Sequence, residues 1–286
     1  MKPLKFYLKK AQKQGWAIGQ FNFSTIEVFE AIMEAAKKSK SPVILGTSEG
    51  EANFFGMEQA IFLRDYYRKK FNIPVFLNLD HGSNLSYIKK AVESGYDAIH
   101  FDGSKLPIKK NIELLKKIRR IVNSKAILEG ELGTIGGNSG LRKNLPKMGK
   151  LTEISAVKDF VKQSKIDSLA VSVGTIHGIY PNEPGIDFER LKKIRQKTNA
   201  FLVLHAGSGV AENDIKKAIN SGIVKININS ELRLIWRKGL EKAFKNNLEE
   251  FKPYSCLADV KKNIEKKVEE KIKIFNSKNK FTLPNF

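Results

Sequence analysis

The sequence predicts an α/β fold, a single closed (β/α)8 TIM barrel with extra terminal helices, and three observations carry that reading. Short β-rich runs alternate with amphipathic helical stretches eight times over. Strands separated by helices pair in parallel, and eight such units are the arithmetic of a closed barrel. The GxGxxG turn that an open doubly wound sheet carries after its first strand is absent. No domain boundary interrupts the 286 residues, so residues 1–286 are expected to form one domain.

The first run is AIGQFNF (17–23), with a helical pattern near 25–38. PVILGT (42–47) precedes a helix near 56–71, and PVFLNLD (74–80) one near 84–94. DAIHFD (97–102), AILEGEL (126–132), SLAVSVG (168–174), FLVLH (201–205) and IVKININ (223–229) follow, each succeeded by a helical segment. Segment 133–152 has glycines and prolines but no apolar periodicity, and is expected to be a long mobile loop over the barrel mouth. The tail, about 257–276, reads as a helix outside the repeat.

Hydrophobic content of 41% and charged content of 28% are those of a soluble globular protein. No apolar stretch reaches the roughly 20 residues that span a bilayer, so no membrane partner is expected. Lys9, Lys10 and Lys13 interrupt the N-terminus, which therefore lacks the apolar region of a signal peptide. The single cysteine, Cys256, has no partner for a disulfide or a thiolate metal site, which fits a reducing, cytoplasmic setting. A net charge of +21 raises the question of nucleic acid. The lysines, however, are dispersed over nearly every helical segment, and in VKKNIEKKVEEKIK glutamates interleave along one face. A solvated surface is the reading, with no specific nucleic-acid partner, although such a field would steer anionic substrates.

Function is expected at the C-terminal strand ends. Three of the four histidines stand there, His81 after VFLNLD, His177 after LAVSVGTI and His205 after FLVL, each with a glycine beside it or close by. One such histidine alone is as readily a hydrogen-bonded core residue as a ligand. Three together favour one convergent metal site, three neutral imidazoles with an open fourth position. Asn22, Ser24, Ser48, Glu49, Asp80, Asp102, Glu129 and Glu131 fall at the same ends. Asp80, beside a candidate ligand, is a candidate proton-transfer group, the alternative being that it orients a histidine. HAGSG (205–209) and NINS (227–230) follow the seventh and eighth strands, where such barrels bind phosphate through backbone N–H groups. A phosphorylated substrate is expected.

LDHGS (79–83), FDGSKLP (101–107), EGELGTIGG (129–137), VGTIHG (173–178), LHAGSG (204–209) and KININSELR (225–233) run over most of the chain. In this order and spacing they resemble the class II, metal-dependent ketose-bisphosphate aldolases, the family of fructose-bisphosphate and tagatose-bisphosphate aldolases. The resemblance implies Zn2+ at His81, His177 and His205, either a second or displaced metal or a structural role for Asp102 and Glu131, and a monovalent cation as a further cofactor. It implies that Asp80 serves the substrate hydroxyl. Dihydroxyacetone phosphate would be bound by Gly178, Ala206, Gly207, Ser208, Asn227, Ile228, Asn229 and Ser230, with Ser48 helping to hold its phosphate. The implied reaction is reversible aldol cleavage of a ketose 1,6-bisphosphate to dihydroxyacetone phosphate and glyceraldehyde 3-phosphate. Zinc is then the electron sink, no lysine Schiff base is needed, and the enzyme is a homo-oligomer, a dimer or tetramer.

Two departures stand out. The family carries acidic residues just after ELGxxGG, one of which handles the proton at C3 of the triose. Here no Asp or Glu stands between Glu131 and Glu153, and Arg142, Lys143 and Lys147 occupy the loop. Either another group handles that proton, or the rate is low, or the substrate differs and the basic loop grips a second anionic group. Ala206 stands where a glycine is common. Asn229 resembles fructose-type members slightly more than tagatose-type ones, which favours fructose 1,6-bisphosphate over tagatose 1,6-bisphosphate. The reading of another class is a catalytically weak paralogue that binds metal and phosphosugar in a regulatory role, supported by the loop and the charge.

Overall fold

Residues 1–141, 149–180 and 185–281 are described by the computed structural model. In chain order α1 (Leu4–Gln14) leads into β1 (Ile18–Asn22), α2 (Ile26–Ser39), β2 (Val43–Ser48), α3 (Glu49–Phe55), α4 (Met57–Phe71), β3 (Val75–Gly82), α5 (Leu85–Ser94) and β4 (Ala98–Phe101). There follow α6 (Ile108–Val122), β5 (Ile127–Leu132), β6 (Gly136–Leu141), α7 (Val157–Ser164), β7 (Ser168–Val171), β8 (Ile176–Ile179) and α8 (Phe188–Lys197). The chain continues through β9 (Phe201–Leu204), α9 (Glu212–Asn220), β10 (Ile223–Ile228), α10 (Ser230–Asn246) and α11 (Pro253–Ile274). Strands β1-β2-β3-β4-β5-β7-β9-β10 pair in parallel in that order, and β10 closes onto β1 with Ile18 opposite Lys225. The barrel expected from the alternation is present.

A strand period of two decides what fills it. Ile18 on β1, Phe76 on β3, Ala98 on β4 and Ile127 on β5 pack with Leu4, Tyr7, Leu8 and Ala11 of α1, so that α1 plugs the N-terminal end with an apolar cluster. Two and four residues further along the same faces the side chains turn polar: Gln20 and Asn22, Asn78 and Asp80, His100 and Asp102, Glu129 and Glu131. The larger apolar core lies outside the barrel, where Leu45, Leu77, Leu79, Ile99 and Leu128 meet Phe29, Ile32, Ile88 and Leu115 of the helices.

Two aspartates repeat one device at the N-terminal ends of strands. Asp97, before β4, accepts from Leu77 N (2.8 Å) and from the guanidinium groups of Arg64 and Arg68 on α4 (both 2.8 Å). Asp167, before β7, accepts from Leu128 N (3.1 Å), Arg119 on α6 (2.6 Å) and Lys5 on α1 (2.9 Å). Each carboxylate ties a strand to the preceding strand and to a helix N-terminal to both, through charge-assisted hydrogen bonds.

The structure corrects three expectations. SLAVSVG is not one strand: β7 stops at Val171, and the chain turns at Gly174 (φ +114°), where an added Cβ would meet Gly185 O at 2.4 Å. His177 therefore stands on β8, which pairs with β6 outside the barrel sheet, Gly137 opposite His177. Segment 133–152 accordingly is not all loop. It contains β6, and Thr134 N donates to Lys150 O (2.7 Å) and Thr152 N to Ser172 O (2.9 Å). The run GGNSGL has no alternation of its own, so its strand form comes from the partner it meets. Arg142, Lys143 and Lys147 lie outside the described residues. Third, α3 was not expected: Ser48 Oγ accepts from Glu51 N (3.3 Å) while Ser48 N donates to Glu51 Oε2 (2.8 Å), a reciprocal cap that starts a helix.

The tail helix begins earlier than expected, at Pro253, an imino acid suited to a first helical turn. Val260, Ile264, Val268 and Ile272 recur every fourth residue and are buried where α11 packs on α2 and α10. Among the described residues no helix is long and apolar enough to cross a membrane.

Candidate active site

His81, His177 and His205 converge at the C-terminal mouth. Their ring centroids lie 5.1 Å (His81–His177), 5.0 Å (His81–His205) and 6.1 Å (His177–His205) apart. The fourth histidine, His100 on β4, joins them at 4.8 Å from His81 and 4.6 Å from His205, which the sequence reading missed. A signal existed, because His100 sits two residues before Asp102 and so shares its face of the strand.

Asp80 and His81 are consecutive, and consecutive strand residues face opposite ways. Both reach the site because the pairing of β3 with β4 slips between Leu79 and Gly82 and His81 takes a left-handed conformation, φ +53°. That conformation costs a non-glycine residue roughly 1–2 kcal/mol. Irregularity of this kind re-aims side chains at functional sites.

Carboxylates orient two of the imidazoles. Asp102 Oδ2 lies 3.0 Å from His81 Nδ1, which leaves His81 Nε2 open to a ligand. Glu129 Oε1 lies 2.8 Å from His205 Nε2, and Lys225 Nζ donates to Glu129 Oε2 at 2.7 Å, so the nitrogen of His205 left to face a ligand is Nδ1, which has Asn227 Nδ2 at 3.4 Å. Lys225 was passed over among many surface lysines, although its place inside the apolar run IVKININ marks it as buried. Asp80 is held on both oxygens, by Asn22 Nδ2 on Oδ2 (3.0 Å) and Asn227 Nδ2 on Oδ1 (3.2 Å).

Burial pushes the Asp80 carboxyl up, but His81, His100 and His205 around it outweigh that and hold it well below the usual carboxylate range. Burial pulls His81 down, yet Asp80, Asp102 and Glu131 reverse the sign and lift it to about 9. These carboxylates favour a cation at His81, whether a proton or a metal ion. His177 is pulled down to about 3 by burial with His81 and His205 beside it, and His205 to about 4 by burial against the pull of Glu129, so both present neutral imidazoles. Burial lifts Glu131 to about 7, with Asp102 adding to the effect.

The donor set fits a zinc ion. Tetrahedral Zn–N bonds of roughly 2.0–2.1 Å put the centroids of bound imidazoles about 5 Å apart, close to the spacings from His81 to His177 and His205 and shorter than the 6.1 Å between His177 and His205. Candidate ligand atoms of Asp80, His81, His100 and His205 all lie within 4.8 Å of one another, as do those of His81, Asp102 and Glu131. His177 instead borders a cavity of about 220 Å3 with Asp102, Lys105 and Glu131.

The residues expected to hold phosphate ring the same mouth. Gly178 on β8 has φ +127°, and an added Cβ there would meet the Tyr180 hydroxyl at 2.7 Å. Ala206 has φ +54°, which explains why glycine suits that position. Ser208 Oγ accepts from Asn229 N and Glu231 N (3.3 Å each), and Ser230 opens α10, whose N-terminus is suited to an anion. Ile228 is fully buried, and Gly207 N donates to Asn227 O (3.1 Å). Ser48 caps α3 and, with Ser24, Asn22, Asn229, Arg233 and Trp236, lines a second cavity of about 660 Å3 at the ends of β1, β2 and β10. Glu51 in its wall accepts from Asn22 Nδ2 (3.0 Å), Asn229 Nδ2 (3.3 Å) and Arg233 Nη2 (2.6 Å), so Asn22 bridges Glu51 and Asp80. Neither Glu51 nor Arg233 was singled out from the sequence. Glu49 points elsewhere, accepting from Ser83 N at 2.7 Å.

The sequence profile of the family described as fructose-bisphosphate aldolase class-II matches residues 2–280. A sulfofructosephosphate aldolase of Alkalicoccus urumqiensis is 36% identical over 277 residues, 96% of each chain. A fructose-bisphosphate aldolase of Staphylococcus aureus is 33% identical, covering 97% of this chain and 98% of its own. Among solved structures, the YdjI aldolase of Escherichia coli K12 superposes with a TM-score of 0.83 at 28% identity, covering 98% of this chain and 99% of that one.

Proposed function

The chain belongs to the class II fructose-bisphosphate aldolase family and is an aldolase, a carbon–carbon lyase, and from that premise we propose that it performs zinc-dependent, reversible cleavage of fructose 1,6-bisphosphate to dihydroxyacetone phosphate and glyceraldehyde 3-phosphate. The observation that carries the proposal is the convergence of His81, His177 and His205 beside a doubly held Asp80.

His81, His177 and His205 would hold the zinc, which when bound supplies a Lewis acid to the ketose carbonyl. Asp80 takes the proton of the C4 hydroxyl as the C3–C4 bond breaks, and returns it in the reverse direction. Its two asparagine donors aim the carboxylate, and its depressed pKa keeps it ionised at neutral pH. Gly178, Ala206, Gly207, Ser208, Asn227, Ile228, Asn229 and Ser230 hold the triose phosphate, chiefly through backbone N–H groups near the α10 N-terminus. Ser48, which lines the larger cavity together with Asn229 and Arg233, helps to hold that phosphate. Glu129 is committed to Lys225 and His205, which leaves Glu131, raised to about 7, better suited to the triose proton that the loop lacks an acid to handle. Asp102, set against His81, acts as its orienting partner in this reading. One domain over residues 1–286, a homo-oligomeric state and a cytoplasmic location go with the same reading.

A second substrate is favoured by one observation: the relative at 36% identity is named for sulfofructosephosphate. Triose formation should therefore be measured from fructose 1,6-bisphosphate, tagatose 1,6-bisphosphate and sulfofructose phosphate, with and without chelator. Chelator-sensitive cleavage of the first supports the proposal. Preference for either of the others reassigns the substrate, and cleavage of none, with metal bound, points to a weak phosphosugar-binding paralogue.

A further inference from the structure

A carboxylate taken out of water is costly unless donors meet both its oxygens. Glu51, in the first turn of α3, is only 5% exposed. Its reciprocal cap with Ser48 asks for one oxygen and no burial. The donors that reach it come instead from different parts of the barrel: Ser48 N on β2 (2.8 Å) and Asn22 Nδ2 on β1 (3.0 Å) at Oε2, and Asn229 Nδ2 (3.3 Å) and Arg233 Nη2 on α10 (2.6 Å) at Oε1. An ionised carboxylate offers about four acceptor positions, and these contacts fill them. Glu51 does more than start a helix.

Asn22 links it to the chemistry. An amide nitrogen carries two hydrogens, and Asn22 Nδ2 directs them at Glu51 Oε2 and at Asp80 Oδ2, each 3.0 Å away. Asn22 Oδ1 accepts from Gln20 Nε2 (3.0 Å). Turned over, the amide would set its oxygen against two carboxylates and its NH2 against a donor, so one orientation is fixed. Gly46 leaves the space, since a Cβ there would meet Asn22 Oδ1 at 2.2 Å. Without Glu51, one amide hydrogen has no acceptor and Arg233 loses its partner. The amide that aims Asp80 is then free to turn.

We propose that Glu51 is a positioning residue for carbon–carbon bond cleavage, fixing the Asn22 amide and through it the Asp80 carboxylate. The inference rests on the role given to Asp80 under Proposed function. In cleavage the C4 hydroxyl proton passes to Asp80, C4 becomes a carbonyl and the C3–C4 electron pair stays on the triose. Exchange of the triose proton with water breaks and remakes only the C3–H bond. Asp80 serves the first and not the second, so a residue acting through Asp80 separates the two.

Cleavage of the preferred ketose and release of tritium from C3 of dihydroxyacetone phosphate are measured at saturation, with metal content and circular dichroism as controls. For Glu51→Ala, kcat for cleavage should fall at least about tenfold, the scale on which misplacing a reacting group acts, while tritium release stays within about threefold of wild type. Glu51→Gln, whose amide oxygen can still accept from Asn22 and Ser48, should recover most of the loss. Asn22→Ala should be at least as slow as Glu51→Ala, and the double variant little slower than Asn22→Ala. Unchanged cleavage in Glu51→Ala overturns the proposal. So does an equal fall in cleavage and tritium release, which marks a general effect on the site, or a double variant whose losses multiply. If the Glu51→Ala fold is damaged, Glu51→Asp, too short to bridge Ser48 and Asn22, should show the same separation. A metal-loaded wild type that cleaves no ketose phosphate overturns the reading of Asp80, and this inference with it.

Discussion

Asp80 shows how much of a site can rest on a single side chain. Both its oxygens accept from asparagine amides, so Asp80→Ala removes the base without setting a second amide NH2 against those donors. The expected result is a fall in kcat of at least about 10²-fold, the scale of a lost general base, with metal content unchanged. Loss of metal along with activity would make Asp80 a support for His81 instead. Ala206 tests the backbone rather than the chemistry. At φ +54° an alanine is strained, and Ala206→Gly should raise stability by about 0.5–1 kcal/mol despite the greater freedom of glycine in the unfolded chain. An unchanged or lower urea midpoint would contradict that assignment. His100 was legible only through strand periodicity, since in isolation it reads as one more histidine among apolar residues.

At the scale of elements, the barrel is sewn together by buried carboxylates as well as by its ladders. Asp167 joins α1, α6, β5 and β7. Burial raises its carboxyl, but Leu128 N–H, Lys5 and Arg119 outweigh this and hold it below the usual carboxylate range. A depressed carboxyl contributes stability that is complete above its unfolded value of about 4 and is lost as pH falls below it. Asp167→Asn should therefore destabilise by about 2 kcal/mol at pH 7, with the difference from wild type shrinking below pH 4. Equal urea midpoints at pH 7 would mean that the network contributes nothing. Elements also explain what was misread: β6 has no apolar alternation, and α3 depends on a reciprocal cap at Ser48 and Glu51, a pairing of two side chains easily lost among strand-end polar residues.

For the whole molecule, the charge of +21 is a property of the surface. Ion pairs such as Lys110–Glu113 and Lys117–Glu113 on α6 and Lys192–Glu189 on α8 are exposed. Surface pairs of this kind add little stability. Retention on duplex DNA should disappear near physiological salt, because dispersed charge binds polyanions only through counterion release. Submicromolar binding that survives such salt in a mobility assay would reveal a patch that the dispersed lysines do not suggest.

The sequence by itself determined the barrel, its parallel order and three of the four converging histidines, because alternation and strand-end position are local patterns that survive folding unchanged. The family resemblance was equally local, resting on short motifs read in order. Only the tertiary structure decided the rest. The bulge that turns both Asp80 and His81 inward, the β6–β8 pair that carries His177, the Lys225–Glu129–His205 chain and the seat of His100 all join residues distant in sequence. Each depends on which neighbour a strand meets across the barrel, and no period along one strand encodes that neighbour.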